Sequence, residues 1–564
     1  MGAAVALWVV AVAGCRNAAA VGCCPDFSSE VGALLRAVAE GADPGTGGLS
    51  PDERSELQEL YRPENAPLWL DAGCRPARSL RDALTLLAHA ADDGLDPADY
   101  QNLLPPASPG LTGEALPAQD AARLDVAVSA GMLRYLRDVH LGRIDPRSIG
   151  FQLDTPRDQH DFAALLRRAI GDQTVLELVA DLRPHLAQYA RLGSLLRQYR
   201  ACAADGMPVV PGPTTRAIHP GEAYGGTAVL ARTLVALGDL PADAPAPLEP
   251  GRYEGAVVDG VRHLQVRHGL EPDGILGAST LAALRVPLDW RVRQVELTLE
   301  RLRWLPHLGD QRLLVLNIPM FRLWGWDVIP ADEEPRFGMD VIVGRALGTE
   351  TPVLVAEMAE VVFRPYWNVP ASILRREVLP RSERDPDYLA REDMEIVRGQ
   401  GDGAPAVDVS PDALLELRQG ALRVRQRPGP RNALGLVEFV FPNREDVYIH
   451  GTPAQALFAR SRRDFSHGCV RVADPARLAE WVLQDHPEWT HDRIVAATTA
   501  TQTTHVRLPN PIRVILFYTT AAAMPEDGTI HFAQDIYSHD ARLDRALGEL
   551  HRVRSAGSSP APTK

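Results

Sequence analysis

The sequence predicts a multidomain α+β protein, and three observations carry that reading. Its 564 residues exceed what one hydrophobic core organises, so roughly three or four domains are expected. Apolar residues recur with a helical period through the first part of the chain. From Arg312 onward they fall instead into short β-branched runs bounded by turn residues.

The helical part runs from about Phe27 to Leu240. Val31, Leu34, Leu35 and Val38 stand at i, i+3, i+4 and i+7, and further periods cover 80–90, 121–139, 165–182 and 192–199. Pro and Gly punctuation at Leu104-Pro105-Pro106 and at 208–213 separates them. Catalytic residue types do not cluster over the expected domain of 25–245. Pro67-Leu68-Trp69 and Asp93-Gly94-Leu95-Asp96-Pro97 resemble the helical scaffold region of the YcbB-like L,D-transpeptidases, which implies a scaffold, with a partner-docking surface as the alternative. At 45% hydrophobic and 23% charged, the composition is that of an ordinary globular chain. A net charge of −14 argues against nucleic acid as a partner, because such affinity rests on clustered Lys and Arg. Lysine occurs only at Lys564, a bias that carries no function.

The first 14 residues are uncharged and mostly apolar and run into Val12-Ala13-Gly14-Cys15. This resembles the lipobox of a bacterial lipoprotein signal, which implies export with Cys15 lipidated and the protein tied to a membrane. The segment lacks the positive start of a secretory signal, so a retained helix is the alternative. Residues 1–24 are set aside as this segment. Cys15, Cys23, Cys24, Cys74, Cys202 and Cys469 form no evenly spaced framework, and their pairing cannot be deduced from spacing.

Between Asp259 and Val286 two short helices flank a glycine-rich turn, Asp273-Gly274-Ile275-Leu276-Gly277. The D-G-x-x-G pattern resembles the small three-helix peptidoglycan-binding module, expected over 246–288. The same glycines and leucines also suit a tight helical hairpin with no ligand.

In the β-rich part, expected over 289–550, runs at 313–319, 340–344 and 360–363 read as strands, and 436–450 as a hairpin. Asp474-Pro475 reads as an N-cap with proline at the first helical position, starting a helix over 476–483. The polar stretch 371–431, with Arg375-Arg376-Glu377, is too long for a plain connection and reads as a lid. Residues 551–564 are expected to be a loose tail.

Nucleophile and base converge in Val447-Tyr448-Ile449-His450-Gly451-Thr452 and Ser466-His467-Gly468-Cys469-Val470-Arg471. If the second segment is extended, His467 and Cys469 share a face, a thiol beside a base that can take its proton. Gly468 frees the backbone so that nearby N–H groups can face an oxyanion, and Arg471 adds a fixed positive charge. A buried structural cysteine beside a core histidine explains the same residues, and so does a metal held by His450, His467 and Cys469, although H-x-C matches no common zinc spacing.

The H-G-T and S-H-G-C-V-R motifs resemble the signature of the YkuD family of L,D-transpeptidases. Arg301-Leu302-Arg303-Trp304-Leu305-Pro306, Pro365-Tyr366-Trp367-Asn368-Val369-Pro370 and 426–435 extend the likeness to its large Gram-negative, YcbB-like branch, with a β-rich catalytic domain and a capping insertion. The resemblance implies a periplasmic, cofactor-free cysteine enzyme acting on peptidoglycan stem peptides, with D,D-carboxypeptidases supplying its tetrapeptides. Cys469 would attack the third residue's carbonyl, His467 would be the base, and His450, Gly468 and Arg471 would complete the catalytic set. Tyr448, Tyr366, Trp367, Asn368 and Ser466 would bind substrate, with Arg462 or Arg463 as further anion contacts. A thiol hydrolase of the same bond and a non-catalytic wall-binding scaffold are the competing readings.

Overall fold

The computed structural model describes residues 26–556 apart from 41–47, 63, 106–113, 154–159, 208, 213–215, 246–248, 250, 307, 310, 329–333, 347 and 525–526. The lipobox-like segment with Cys15, and also Cys23 and Cys24, lie outside the described residues. Among the described residues no helix is long and apolar enough to cross a membrane. Cys74 is disulfide-bonded, and Cys202 and Cys469 are free.

A helical bundle comes first. Helix Phe27–Glu40 buries Phe27, Val31, Leu35 and Val38, a single stripe, and packs on helix Ala118–Leu141. Helix Pro51–Tyr61 starts at a capping box in which Ser50 and Glu53 satisfy each other's backbone N–H. The period over 165–182 is split into Phe162–Asp172 and Val175–Leu182, because Gln173 turns left-handed at φ 57° and ends the first helix. This bundle's core reaches from Phe27 to Leu182.

The rest of the expected scaffold divides differently. Helix Ala187–Asp205 buries Tyr189, Leu192, Leu196 and Tyr199 in the core of the β-rich domain, together with helix Leu288–Leu302. A separate small core runs from Val210 to Leu276 and takes in helix Thr227–Leu237 with Ala256–Arg267 and Ala278–Leu284. The three-helix module therefore draws on residues well before 246, since Leu230 and Leu234 supply its apolar contact. Its glycine-rich turn is held from within: Gln265 Nε2 donates to Asp273 Oδ1 at 2.8 Å and the Gly274 N–H donates to Gln265 Oε1 at 2.8 Å.

The β-rich domain is built from strands β1 (Leu313–Asn317), β2 (Arg322–Trp326), β3 (Phe337–Gly344) and β4 (Leu354–Phe363), then β9 (Val437–Val440), β10 (Ile449–His450), β11 (Asp464–Ser466), β12 (Val470–Val472) and β13 (Thr504–Phe517). They form one sheet in the order β11-β3-β12-β10-β9-β4-β13-β1-β2, and β2 also pairs with β3, which closes the sheet on itself. Helix Pro475–Val482 begins where the Asp474 side chain accepts the Arg477 N–H at 3.0 Å, and it buries Leu478, Ala479, Trp481 and Val482 against the sheet.

The insertion is a folded subdomain of its own. Strands β5 (Trp367–Asn368), β6 (Met394–Val397), β7 (Ala406–Val407) and β8 (Arg423–Gln426) make a second sheet in the order β5-β8-β6-β7. Leu389, Ile396, Leu417, Leu422 and Val424 fill its core. At the other end, helix His539–Ala556 continues past residue 551, where a loose tail was expected. Arg554 fixes it to the first bundle through Asp138 at 2.8 Å and Asp99 at 3.1 Å.

Candidate active site

The two motifs meet because β10 lies between β9 and β12. Ile449 pairs with Val470 and His450 with Arg471 in parallel register. Residues 467–469 leave the ladder between β11 and β12, and Gly468 sits at φ +119°, a conformation that a side chain would resist. The extended run that would put His467 and Cys469 on one face is therefore interrupted. Three hydrogen bonds fix the resulting loop: Ser466 Oγ donates to the Cys469 carbonyl at 2.6 Å, the Gly468 N–H donates to Ser466 Oγ at 3.1 Å, and Thr351 Oγ1 donates to the Gly468 carbonyl at 2.7 Å.

Cys469 is half-buried, and its Sγ lies 3.9 Å from the Asp446 carbonyl. Burial pushes its thiol up, while hydrogen bonds from the Tyr448 backbone and hydroxyl and the charge of Arg471 pull the other way. Among the described residues neither histidine hydrogen-bonds the thiol. His467 is exposed, and its Nε2 meets Glu377 Oε1, on the π-helical turn Leu374–Val378 of the insertion, at 2.9 Å. His450 is buried and donates from Nδ1 to the Gly451 carbonyl at 2.5 Å. Burial, and then Arg471, push its pKa down to about 3, so the ring is neutral. His450, His467 and Cys469 do not converge as a ligand set. Among the described residues only Asp96, Asp99 and His551 bring three such groups together.

A row of ionisable groups crosses the sheet beside the thiol. Glu438 on β9 stands opposite His450, and His450 opposite Arg471, so the three share a face. Burial drives the Glu438 carboxyl up to about 7, against the pull of His505. Burial also lowers Arg471, opposed by the Cys469 sulfur, and its buried Nε has no hydrogen-bond partner among the described residues. Arg345 adds a second positive charge close to Arg471. Gly435 lets this region close up: a Cβ there would come within 2.6 Å of the Thr452 nitrogen.

The expected binding residues fare unevenly. Tyr448 and Trp367 touch each other and border the thiol through the Tyr448 hydroxyl. Asn368 is exposed next to them. Tyr366 is instead stacked under Arg425, whose guanidinium carbon sits 4.2 Å from its ring centroid, a packing role at the base of the insertion. Ser466 is buried, and its hydroxyl is engaged within the loop. Arg462 is held by Asp464 at 2.7 Å and Arg463 by Asp340 at 3.0 Å, so both anion contacts are already paired. The N–H groups of Gly468 and Val470 are engaged, the latter with the Tyr448 carbonyl at 3.0 Å. That leaves the Cys469 N–H as the loop donor beside the sulfur.

Sequence reasoning does not single out Glu377, Arg345, Thr351 or Glu438 as site residues. Glu377 lies 90 residues from His467 in the chain, and Thr351 lies 117 from Gly468. Only the β9 alternation that places Glu438 on the His450 face is legible without the fold.

Comparison with known proteins matches residues 311–505 to the L,D-transpeptidase catalytic domain, YkuD, 227–284 to a "putative peptidoglycan binding domain", and 55–196 to a scaffold domain. A Haemophilus influenzae protein described as "Putative L,D-transpeptidase" is 31% identical over 256 residues, 45% of this chain and 49% of that protein. The chain thus spans about half the length of this curated relative. The crystal structure of an L,D-transpeptidase from Xylanimonas cellulosilytica aligns at 15% identity with a TM-score of 0.16, covering 54% of this chain and 100% of that one. Through residues 311–505 the chain carries a catalytic domain of the YkuD L,D-transpeptidase family, preceded by a peptidoglycan-binding domain.

Proposed function

We propose that this protein cross-links peptidoglycan stem peptides through a thioester at Cys469. The carrying observation is a free thiol within the YkuD domain, bordered by the Tyr448 hydroxyl and the Arg471 charge. Because burial keeps that thiol protonated, attack needs a base. His467 supplies it: with Nε2 held by Glu377, Nδ1 is the nitrogen that takes the Sγ proton. The sulfur attacks the carbonyl carbon of the third residue, and the Cys469 N–H and Arg471 stabilise the negative charge on its oxygen. When the C–N bond breaks, His467 returns the proton to the leaving D-alanine amine. An amine of a second stem then attacks the thioester: the new C–N bond forms, the C–S bond breaks, and His467 takes the amine proton and returns it to the sulfur. His450, neutral and hydrogen-bonded to the Gly451 carbonyl, fixes the turn of the H-G-T motif beside the site.

The capping insertion and the helical bundle support a YcbB-like architecture, and the disulfide at Cys74 supports work outside the cytoplasm, in the periplasm, where such bonds persist. Lipidation of Cys15 would hold the enzyme at a membrane facing its substrate. Enzymes that trim pentapeptide stems, D,D-carboxypeptidases, would provide the tetrapeptide donor.

The test is incubation of the purified chain with disaccharide-tetrapeptides and mass spectrometry of the products, with Cys469→Ala alongside. A dimer lacking one D-alanine, absent with the variant, is the expected result. Tripeptide alone would make the enzyme a hydrolase, and unchanged substrate would leave a wall-binding scaffold.

A further inference from the structure

A cavity of about 340 Å³ lies where helix Ala187–Asp205, the peptidoglycan-binding domain and the start of helix Leu288–Leu302 meet, and it shares no lining residue with the Cys469 site. Its volume falls in the range of small-molecule sites. Leu237, Leu284 and Phe532 give it apolar walls, and two arginines face it from the protein interior.

The two arginines differ in one respect. Arg267 is neutralised by Asp239, which meets it from two nitrogens at 2.5 Å. Arg291 is only 8% exposed, and its contacts are neutral. It donates to Gln294 Oε1 at 2.9 Å and to the Ala283 carbonyl at 3.3 Å, and its guanidinium carbon sits 4.5 Å from the Phe532 ring centroid. Among the described residues no carboxylate pairs with it. Asp289 lines the cavity but is exposed and forms no ion pair with it, and exposed Arg285 adds positive charge to the same wall. Burial lowers Arg291 to about 10, which still leaves it charged at neutral pH. A buried charge without a counter-charge is costly, and an anionic ligand in the cavity would supply the missing partner.

The geometry points to a carboxylate-binding site at this junction, with Arg291 as the anion contact and a free carboxylate of a peptidoglycan stem peptide as its ligand. The identity of the ligand rests on the function proposed above, while the carboxylate chemistry rests on Arg291 alone. A guanidinium presents a planar fork that matches a carboxylate, and the apolar walls suit a small side chain such as that of a terminal D-alanine. A stem held here would tether a glycan strand to the body of the enzyme, raising its concentration near the Cys469 site.

The experiment is calorimetric titration of the full chain carrying Cys469→Ala with a stem tetrapeptide ending in D-alanine. Arg291→Met and Ala203→Phe, the second of which fills the cavity without touching the charge, are each expected to weaken binding at least about tenfold. Arg291→Met is also expected to raise Tm, which a merely structural arginine would not do. Peptides amidated at the C-terminus or at the third residue's side-chain carboxylate identify which group is held, since only the one in contact loses the same factor. Unchanged affinity in both variants overturns the site. Product formation by the Cys469-intact protein is measured separately. Cross-linking without an Arg291 effect would remove the cavity and leave the reaction, whereas Arg291-dependent binding without cross-linking would do the reverse.

Discussion

Thr351 and Gly468 are joined by a 2.7 Å hydrogen bond from the threonine hydroxyl to the glycine carbonyl, and the same hydroxyl accepts the Gly344 N–H at 2.8 Å. The Thr351 N–H in turn donates to the Tyr537 hydroxyl at 3.2 Å. The loop that carries Cys469 thus hangs from a threonine in the segment just before β4 and from Tyr537.

Replacing that threonine with valine keeps the volume and removes the donor. Thr351→Val is expected to cost about 1–3 kcal/mol, since it leaves a buried carbonyl unsatisfied. Turnover should fall by roughly tenfold or more as the loop loses its set. Thermal unfolding and product assays on the same preparation check both. Unaltered turnover would mean that Ser466 alone holds the loop.

Glu438 sets a pH dependence of stability. Its folded pKa, pushed up to about 7 by burial, lies above the ordinary carboxylate value, so the native state holds its proton longer than the unfolded chain. Its contribution makes stability fall as pH rises from about 4.5 to about 7. Glu438→Gln is expected to remove that slope and to be more stable than the parent above pH 7 by on the order of 2 kcal/mol. Urea unfolding at a series of pH values is the check.

His450 acts in the opposite direction. Its ring stays neutral in the fold down to about pH 3 but protonates near 6.5 when unfolded, so the unfolded state gains protons first as pH falls. Stability should drop through that window by up to about 1.4 kcal/mol per unit of pH. His450→Asn should flatten the slope, as read by unfolding between pH 7 and 4.

Glu377 and His467 are both partly exposed, so their pair is worth little to stability. Glu377→Ala should therefore leave Tm almost unchanged while lowering turnover about three- to thirtyfold, because the imidazole loses its orientation. A fall in Tm matched by no change in rate would assign the contact to anchoring of the insertion.

Much of this is legible in the sequence because it depends on near neighbours. Asp474 caps its helix, the β9 alternation sorts Glu438 from Phe439, and Val31 to Val38 trace a buried stripe. The loop fails as an extended segment because one residue, Gly468, departs from strand geometry, and pattern alone does not reveal a backbone angle. Glu377 and Thr351 reach the site only through topology. The module boundary shifts because the Thr227–Leu237 period matches the scaffold helices before it, and nothing local shows which core those leucines join.

Helix Ala187–Asp205 has a consequence for how the chain is made. It leaves the ribosome long before β1, yet Leu192 and Leu196 are buried by a core that includes β1 and β13. A nascent chain halted after the peptidoglycan-binding domain would carry that apolar stripe uncovered, a target for holdase chaperones. A truncated chain starting at 289 would leave the corresponding groove bare on the sheet side. Helix Ala187–Asp205 and the catalytic sheet therefore complete their shared core together, and only after the last long strand has been synthesised.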